Sequence, residues 1–190
     1  MAMNPRLALL KTRLQQKLQA QAFFEDKIAP CAELFSVFGK SGVGFQVAAW
    51  IGLEEEWQPH LVAKMQELSD GFKMEGNNKS VELLDDLFVQ YPSLNALRYV
   101  PPIEKMEIET SENPLRKIVE HLQLEDTEVY VYFLRYAPLL QMKLYDIFRI
   151  DQDEMFNFWQ GDVVIFPKVI TWLIAYSLEE EWYAGRSTSK

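Results

Sequence analysis

The sequence has few of the residues that build disulfide frameworks, metal sites and catalytic centres. Its 190 residues include one cysteine and only two histidines. Because Cys31 has no partner for a disulfide within the chain, the composition is typical of a protein in a reducing compartment. His60 and His121 lie on separate predicted helices, and neither has the spacing of a metal motif such as HExxH. We therefore expect neither a metal ion nor a cofactor.

Excess positive charge and long apolar runs are also lacking. The 28 acidic residues outnumber the 19 basic ones, which gives a formal net charge of −9. Such a chain repels phosphate backbones and anionic lipid, so we expect neither nucleic acid nor membrane as a partner. The most apolar run, residues 163–178, is interrupted by Pro167 and Lys168 and is shorter than the roughly 20 residues of a membrane span. We do not expect a signal peptide, because the first residues contain no uninterrupted apolar run and no small-residue cleavage site. These features predict a cytoplasmic protein.

Glycine is concentrated in one short segment that looks at first like a phosphate-binding loop. Gly39 and Gly44 have the right spacing, but Phe45 and Gln46 occupy the positions where that motif requires Lys and Ser or Thr. Without them, no ammonium group reaches the phosphates and no hydroxyl holds magnesium. The segment also misses the nucleophile elbow, because Val43 replaces the final glycine of that motif. We interpret it as a flexible turn.

Two acidic pairs are better explained by helix structure than by catalysis. Asp151 and Asp153 resemble the DxD motif of metal-dependent sugar transferases, but acids before a helix commonly complement its N-terminal dipole. Glu154, three residues after Asp151, completes the pattern of a capping arrangement. Asp85 and Asp86 lie on a predicted helix, where at least one faces water. Because no Ser–His–Asp or Cys–His arrangement can be assigned, we predict that the chain is not an enzyme.

Amphipathic patterns predict a largely helical chain. The first helix opens at Asn4-Pro5 and carries one stripe of leucines, at residues 7, 10, 14 and 18. This stripe is expected to pack against its own domain; the alternative is a partner helix in a coiled coil. Further helices are predicted over residues 59–70, 81–90, 114–122, 138–148, 152–159 and 168–183.

Strands are predicted in fewer places. Residues 128–134 and 163–166 are β-branched and aromatic throughout, which indicates central strands with both faces covered. An edge strand is predicted over residues 105–110 and a short strand over residues 97–100. The expected fold class is therefore α+β, mostly helical with a small sheet.

The domain organisation follows from these elements. The chain, residues 1–190, has the length of a single domain. The N-terminal helix, about residues 5–28, is expected to pack as an arm. Residues 184–190 are expected to form a disordered tail.

The pentapeptide Leu-Glu-Glu-Glu-Trp occurs twice, at residues 53–57 and 178–182. It marks either a duplicated unit or, on the interpretation we favour, the solvated end of an apolar helix closed by an amphipathic tryptophan. Both copies are candidate docking positions for a basic partner. The predicted protein-binding residues are Glu54, Glu55, Glu56, Glu179, Glu180 and Glu181.

A series of short motifs lies between residues 113 and 167. His121-Leu122 closes a predicted helix, the run Phe133 to Pro138 ends a strand, and three leucines follow. This order resembles the core of the type VI secretion effector adaptor (chaperone) domain family, in which a strand ending Phe-Arg-x-Tyr-Asp-Pro leads into a leucine-rich helix. The matching positions are Phe133, Tyr136, Pro138 and Gly161. The chain departs from the pattern at Ala137, where the family has Asp, at Asp162, where it has Pro, and at Arg135, which falls one position late.

The resemblance implies a non-enzymatic cytoplasmic adaptor that binds a cognate secreted effector and helps load it onto a type VI secretion spike. Its partners would then be the effector toxin and the spike protein, recognised through an apolar groove with an acidic rim. The composition also suits a cytoplasmic immunity protein whose carboxylates neutralise a basic toxin. An enzyme of unrecognised type is the third alternative.

Overall fold

A computed structural model gives the fold for most of the chain. It describes residues 5–68, 78–94, 103–108, 113–134, 136–159 and 161–187. The architecture is a mixed α+β fold, in which helices lie on both faces of a seven-stranded antiparallel sheet. The predicted fold class is therefore confirmed, although the sheet is larger than expected.

The sheet is built mainly by the second half of the chain. Its spatial order is β1-β4-β3-β5-β6-β7-β2, so β1 and β2 form the two edges. The strands are β1 (Phe45–Trp50), β2 (Glu104–Lys105), β3 (Glu128–Phe133), β4 (Pro138–Lys143), β5 (Val163–Pro167), β6 (Trp172–Tyr176) and β7 (Trp182–Arg186). The predicted central strands correspond to β3 and β5. The predicted edge strand, residues 105–110, overlaps β2 only at Lys105, because residues 106–108 are not in a strand and residues 109–110 lie outside the described residues. The strand predicted over residues 97–100 lies outside the described residues.

The helices predicted over residues 59–70, 81–90, 114–122 and 152–159 are present with somewhat different bounds, as is the N-terminal helix. Asn113 caps α5, since its side-chain oxygen accepts a hydrogen bond from the Arg116 amide at 2.9 Å. The helices are α1 (Pro5–Phe23), α2 (Cys31–Lys40), α3 (Gln58–Leu68), α4 (Asn78–Gln90), α5 (Pro114–His121) and α6 (Gln152–Phe156). A π-helical segment, Phe24–Ile28, follows α1, and short 3-10 helices cover Glu55–Trp57 and Tyr145–Arg149.

Each face of the sheet covers a separate core. On one face Val129, Val131 and Phe133 of β3 pack with buried residues of α2, α3, α5 and α6. On the other face Tyr130 and Tyr132 pack with the buried leucines of α4. Because successive side chains of a strand point to opposite faces, both sets of β3 residues are removed from water. This explains the uniformly apolar sequence of the central strand.

The helix predicted over residues 138–148 is wrong. Pro138–Lys143 is strand β4, which pairs with both β1 and β3. Leu139 lies in the core beneath α4 and Leu140 in the core on the other face, so apolar residues are required on both sides. Pro138 occupies the first position of the strand, where proline is tolerated because it lacks only one ladder hydrogen bond.

The helix predicted over residues 168–183 is also wrong, because this segment forms the β6–β7 hairpin. All five residues of β6 are buried, and a short run that is apolar throughout does not distinguish a covered strand from a core helix. Glu180, in the hairpin turn, adopts a positive φ of 61°. Since β7 extends to Arg186, residues 184–186 belong to the sheet and not to a disordered tail.

The leucine stripe of α1 does not pack against its own domain. Leu7, Leu10, Leu14 and Leu18 are 49%, 56%, 59% and 62% exposed. Side chains 6–19 are all exposed or half-buried, and the buried Ala20 follows them. The helix meets the rest of the protein near its C-terminal end, where the Phe23 ring lies 5.6 Å from that of Trp57.

Candidate functional site

Four connections meet at one end of the sheet and create its most distinctive surface. They are residues 51–57, 134–137, 157–162 and 177–181, of which residues 135 and 160 lie outside the described part. We name this surface the acidic end. The strand register places them together through the pairs Trp50–Pro138, Phe133–Val163 and Tyr176–Trp182.

A group of aromatic rings occupies the centre of the acidic end. The Tyr136 ring stacks on that of Trp159, with centroids 4.5 Å apart, and the Tyr136 hydroxyl donates a hydrogen bond to the Trp159 carbonyl at 2.9 Å. Phe133 and Phe158 present their rings edge-on to Trp159 at 4.8 and 5.0 Å. A Cβ atom at Gly161 would lie only 3.3 Å from Tyr136 Cε2, so this glycine permits the close approach. Tyr136, Phe158 and Trp159 are half-buried, so each keeps part of its surface open to solvent.

The structure thus brings together the positions that carry the sequence resemblance. Phe133, Tyr136 and Gly161 all contribute to the aromatic group, and Pro138 opens β4 at the same end of the sheet. The element after Pro138 differs from the family pattern, because it is a strand where that pattern has a leucine-rich helix. The chain therefore departs from the family pattern at this element, as it does at Ala137 and Asp162.

The first predicted acidic segment lies at the β1 side of this end. Glu54, Glu55 and Glu56 are exposed, and the short 3-10 helix that contains the latter two is anchored by the half-buried Trp57. The Trp57 amide donates to the Glu54 carbonyl at 3.0 Å, which fixes the turn. The expectation that this segment ends an apolar helix is wrong, since it follows strand β1. Its predicted exposure is confirmed.

The second acidic segment forms the turn of the β6–β7 hairpin. The turn is closed by the Ser177 amide, which donates to the Glu181 carbonyl at 2.8 Å, and by the Glu180 amide, which donates to the Ser177 carbonyl at 2.9 Å. Asp162 joins it to the neighbouring connection by accepting from the Leu178 amide at 2.8 Å. The expectation that an apolar helix precedes this acidic segment is also wrong, because strand β6 occupies that position.

The three glutamates of this turn are not equivalent. Glu179 and Glu180 are exposed, whereas Glu181 is half-buried. One Glu181 oxygen accepts from Lys105 Nζ and the other from the Tyr183 hydroxyl, both at 2.6 Å. Glu181 therefore ties edge strand β2 to the hairpin, and the exposed charge of the turn comes from the other two glutamates.

The two acidic segments form separate patches on a shared surface. Strands β1 and β6 are four positions apart in the sheet order, which corresponds to about 20 Å at the usual strand spacing. The aromatic group belongs to the connections that lie between them. The acidic end is thus an aromatic centre with a carboxylate patch on each side.

A cleft of about 350 Å³ opens beside the hairpin turn. The Tyr176 hydroxyl donates a hydrogen bond to Asn157 Oδ1 at 3.1 Å. Burial raises the pKa of Tyr176 above its ordinary value, the carboxylate of Glu180 raises it further, and the hydrogen bond with Asn157 opposes both. The phenol is therefore a neutral donor at physiological pH. The cleft is lined by Phe156, Asn157, Gly161, Tyr176, Ser177, Leu178 and Glu180.

A larger cleft, of about 620 Å³, lies at the opposite end of the sheet. Its charged residues are of both signs, with Glu125 and Glu128 sharing the lining with Lys168 and Arg186. Arg186 is engaged, because its Nη2 donates to the Leu122 carbonyl at 2.6 Å. The lining of this cleft therefore does not carry predominantly one sign of charge, as the acidic end does.

The other acidic residues and the two histidines considered in the sequence lie on helices or at a helix cap. Asp151 caps α6 by accepting from the Glu154 amide at 2.9 Å, as predicted, whereas the helix ends at Phe156, before the predicted Trp159. Asp153 is exposed in the first turn of α6. His60 and His121 are exposed on α3 and α5, and Asp85 and Asp86 are exposed on α4.

The single cysteine lies in the core. Cys31 is fully buried, its thiol donates to the Lys27 carbonyl at 3.1 Å, and burial raises its pKa to about 12. Such a thiol stays protonated and is inert as a nucleophile. Within the described ranges, no three His, Cys, Asp or Glu side chains are arranged to hold a metal ion.

The glycine-rich segment forms the turn from α2 to β1, as predicted. Gly42 adopts a positive φ of 63°, and a Cβ atom there would lie 3.0 Å from Arg149 Nη2. The order helix–turn–strand is the reverse of a phosphate-binding loop, in which the glycines precede a helix whose N-terminus holds the anion.

Comparison of the chain with known protein families, with curated proteins and with solved structures gave no match. In the part of the chain that the structure describes, no helix combines the length and apolar character needed to cross a bilayer.

Proposed function

We propose that this chain is a non-enzymatic adaptor that binds a basic protein partner through the acidic end. One observation carries this proposal: the half-buried side chains of Tyr136, Phe158 and Trp159 lie between two exposed glutamate patches. Aromatic residues, tyrosine and tryptophan above all, supply much of the binding energy in protein interfaces. Carboxylates around them favour partners of opposite charge.

Recognition would proceed in two steps. The net charge of −9, with Glu54, Glu55 and Glu56 on one side and Glu179 and Glu180 on the other, attracts a basic segment and orients it. The segment then covers the aromatic group, which is removed from water. Backbone hydrogen bonds fix the turns that carry the glutamates, and the Tyr136 hydroxyl is bonded to the Trp159 carbonyl. The turn backbones and the aromatic group therefore lose little conformational entropy at the interface.

The sequence resemblance supplies the specific form of this proposal. The partner is a secreted effector that the adaptor holds in the cytoplasm and delivers to the type VI secretion spike. Support for it comes from the meeting of Phe133, Tyr136 and Gly161 in the aromatic group, at the end of the sheet that also carries the glutamates.

An immunity protein is the second candidate, and the exposed glutamates favour it directly. A basic toxin that acts on nucleic acid needs a cationic surface, which the two carboxylate patches would cover. Deletion of the gene distinguishes the two roles. Loss of the adaptor abolishes delivery of one effector and leaves the producing cell healthy, whereas loss of an immunity protein leaves secretion intact and allows sister cells to kill one another.

Charge reversal at the acidic end tests binding itself. In the variant with Glu54→Lys, Glu55→Lys and Glu56→Lys, and in the variant with Glu179→Lys and Glu180→Lys, we expect the affinity for the protein that co-purifies with the native chain to fall at least tenfold. We also expect its salt dependence to weaken. The matched control carries Asp85→Lys and Asp86→Lys on the exposed face of α4 and should bind normally. Equal affinity in all three variants contradicts a role for the acidic end.

A further inference from the structure

The leucine stripe of α1 points away from the domain that carries it. At 100° per residue, the four leucines lie roughly 80° to 160° around the helix from Ala20, the buried residue that faces the body. They are 49% to 62% exposed and extend over about 16 Å of helix. An apolar row on the outer side of a projecting helix contributes nothing to the stability of its own core.

The charge of this helix is opposite to that of the chain as a whole. Segment 5–23 contains four of the 19 basic residues and none of the 28 acidic ones, and the first acid is Glu25. Lys11 borders the stripe on one side and Lys17 on the other, and both are exposed. The apolar row therefore has an exposed lysine on each side.

We infer that α1 is a docking helix, which lays its leucine stripe into an apolar groove of a partner protein whose rim carries carboxylates. Leu7, Leu10 and Leu14 have the i, i+3, i+7 spacing of anchors in helix-in-groove recognition. Lys11 and Lys17 would then meet acidic side chains on the two rims. This surface is distinct from the acidic end, and the inference does not depend on the function proposed for that end.

A second copy of the chain is a poor occupant of the stripe. Pairing two α1 helices along their leucines brings Lys11 and Lys17 of one copy towards the same basic residues of the other. In coiled coils, charges beside the apolar seam select the partner, and like charges select against it. The same charges that disfavour self-association favour an acidic partner.

An anionic bilayer is also a poor occupant. The stripe from Leu10 to Leu18 covers about 80° of the helix circumference, which is the width of a helix–helix contact. Leu9, which is 54% exposed, lies outside the stripe, about 100° from Leu10. Helices that lie in a membrane interface present a broader apolar face, with large side chains buried among the lipid headgroups. The net charge of −9 adds repulsion between the rest of the protein and anionic lipid.

The test uses synthetic peptides as probes for the full-length protein. One probe is a helical peptide of about four heptads, with leucine at the core positions and glutamate at both flanks; the other has lysine in place of glutamate. Fluorescence anisotropy measures their binding at low and high salt. We expect the acidic probe to bind at least tenfold more tightly than the basic one, and this preference to decline as salt screens the flanking charges.

Variants of α1 locate the binding to the stripe. Leu10→Gln with Leu14→Gln should weaken binding of the acidic probe at least tenfold, while Val89→Gln, at an 82% exposed position on α4, should leave it unchanged. Lys11→Glu with Lys17→Glu should transfer the preference to the basic probe. Circular dichroism and thermal unfolding of each variant confirm that the exposed substitutions leave the fold intact.

Three results would overturn the inference. Equal binding of the two probes removes the role of the flanking charge. Concentration-dependent dimerisation in analytical ultracentrifugation, abolished by the double leucine variant, assigns the stripe to a second copy of the chain. Leucine-dependent binding to phosphatidylserine vesicles that is tighter than binding to the acidic probe assigns it to a membrane.

Discussion

Helix α1 and the β3–β4 hairpin are both rich in large apolar side chains, but they hold them in opposite surroundings. Leu14 of α1 is 59% exposed, whereas Leu140 of β4 is fully buried. Five of the six β3 residues are buried, and none of the side chains from residue 6 to residue 19 is. The hairpin is covered by helices on both faces, while the outer face of α1 is left to solvent or to a partner.

The difference shows what an apolar pattern specifies. The spacing of the leucines in α1 fixes which side chains share a face, because the helix period is an intrinsic property of the backbone. It does not fix what covers that face. In α1 the apolar residues serve recognition, on our inference, and in the hairpin they serve folding, so the two regions should respond differently to the same substitution.

Truncation of one leucine in each region should give the largest contrast. Leu140→Ala removes a buried side chain between β1, β3 and the helices, and we expect it to lower the free energy of unfolding by about 2–5 kcal/mol. Leu14→Ala removes an exposed one and should change it by less than about 0.5 kcal/mol. Urea denaturation measures both values. Similar losses for the two variants would mean that the stripe is part of the core.

Cys31, the first residue of α2, is fully buried and so contrasts with the exposed residues of α1. Burial raises the pKa of its thiol to about 12, so the folded protein keeps the proton that the unfolded chain releases above about pH 9. Stability from this thiol is thus complete below pH 9 and is lost as the pH rises towards 12, at about 1.4 kcal/mol per pH unit.

The Cys31→Ala variant isolates this effect from other titrating groups. It should be less stable than the native chain at about pH 7, because a buried side chain is truncated. The difference between the two proteins, followed by urea denaturation, should then narrow between about pH 9 and pH 11. A constant difference over this range would show that the thiol is accessible to water.

The smallest expected effect concerns the side-chain cap of α6, which is a local signal. Asp151→Ala removes the side-chain cap of α6 and should cost about 1 kcal/mol of unfolding free energy. Asp153→Ala removes the same charge from the first turn without a cap, so we expect less than about 0.5 kcal/mol. Thermal unfolding of the two variants compares them. Equal losses would show that charge, and not the hydrogen bond to Glu154, stabilises this helix.

The sequence predicts those elements whose signals are local. Helix α5 follows from the Asn113-Pro114 opening and its apolar spacing, and β3 and β5 follow from continuous β-branched and aromatic residues. Strands β4 and β6 resemble helices in sequence because both of their faces are buried, which erases the alternation that distinguishes a strand. Their hydrogen-bonding partners, which lie elsewhere in the chain, decide the structure.

The candidate site is predictable only in part, for the same reason. The runs of acid at Glu54 and Glu179 predict exposed charge, and this is what the structure shows. Their position at one end of the sheet depends on the register of strands that the sequence does not reveal. Tyr176 and Asn157 carry no signal in the sequence, because they belong to different elements and only the fold brings them together.

The order of strands in the sheet has a consequence for the route by which the chain folds. Strands β4, β3, β5, β6 and β7 are spatial neighbours joined by short or moderate connections, whereas β1 must pair with a segment about 100 residues later in the chain, as in Phe45 with Met142. Closing so long a loop costs entropy that only an existing sheet edge can offset. We therefore expect the C-terminal half to form the folding nucleus, and β1 and the helices next to it in the sequence to dock late. In hydrogen exchange of the native protein, backbone amides should then lose protection first in β1.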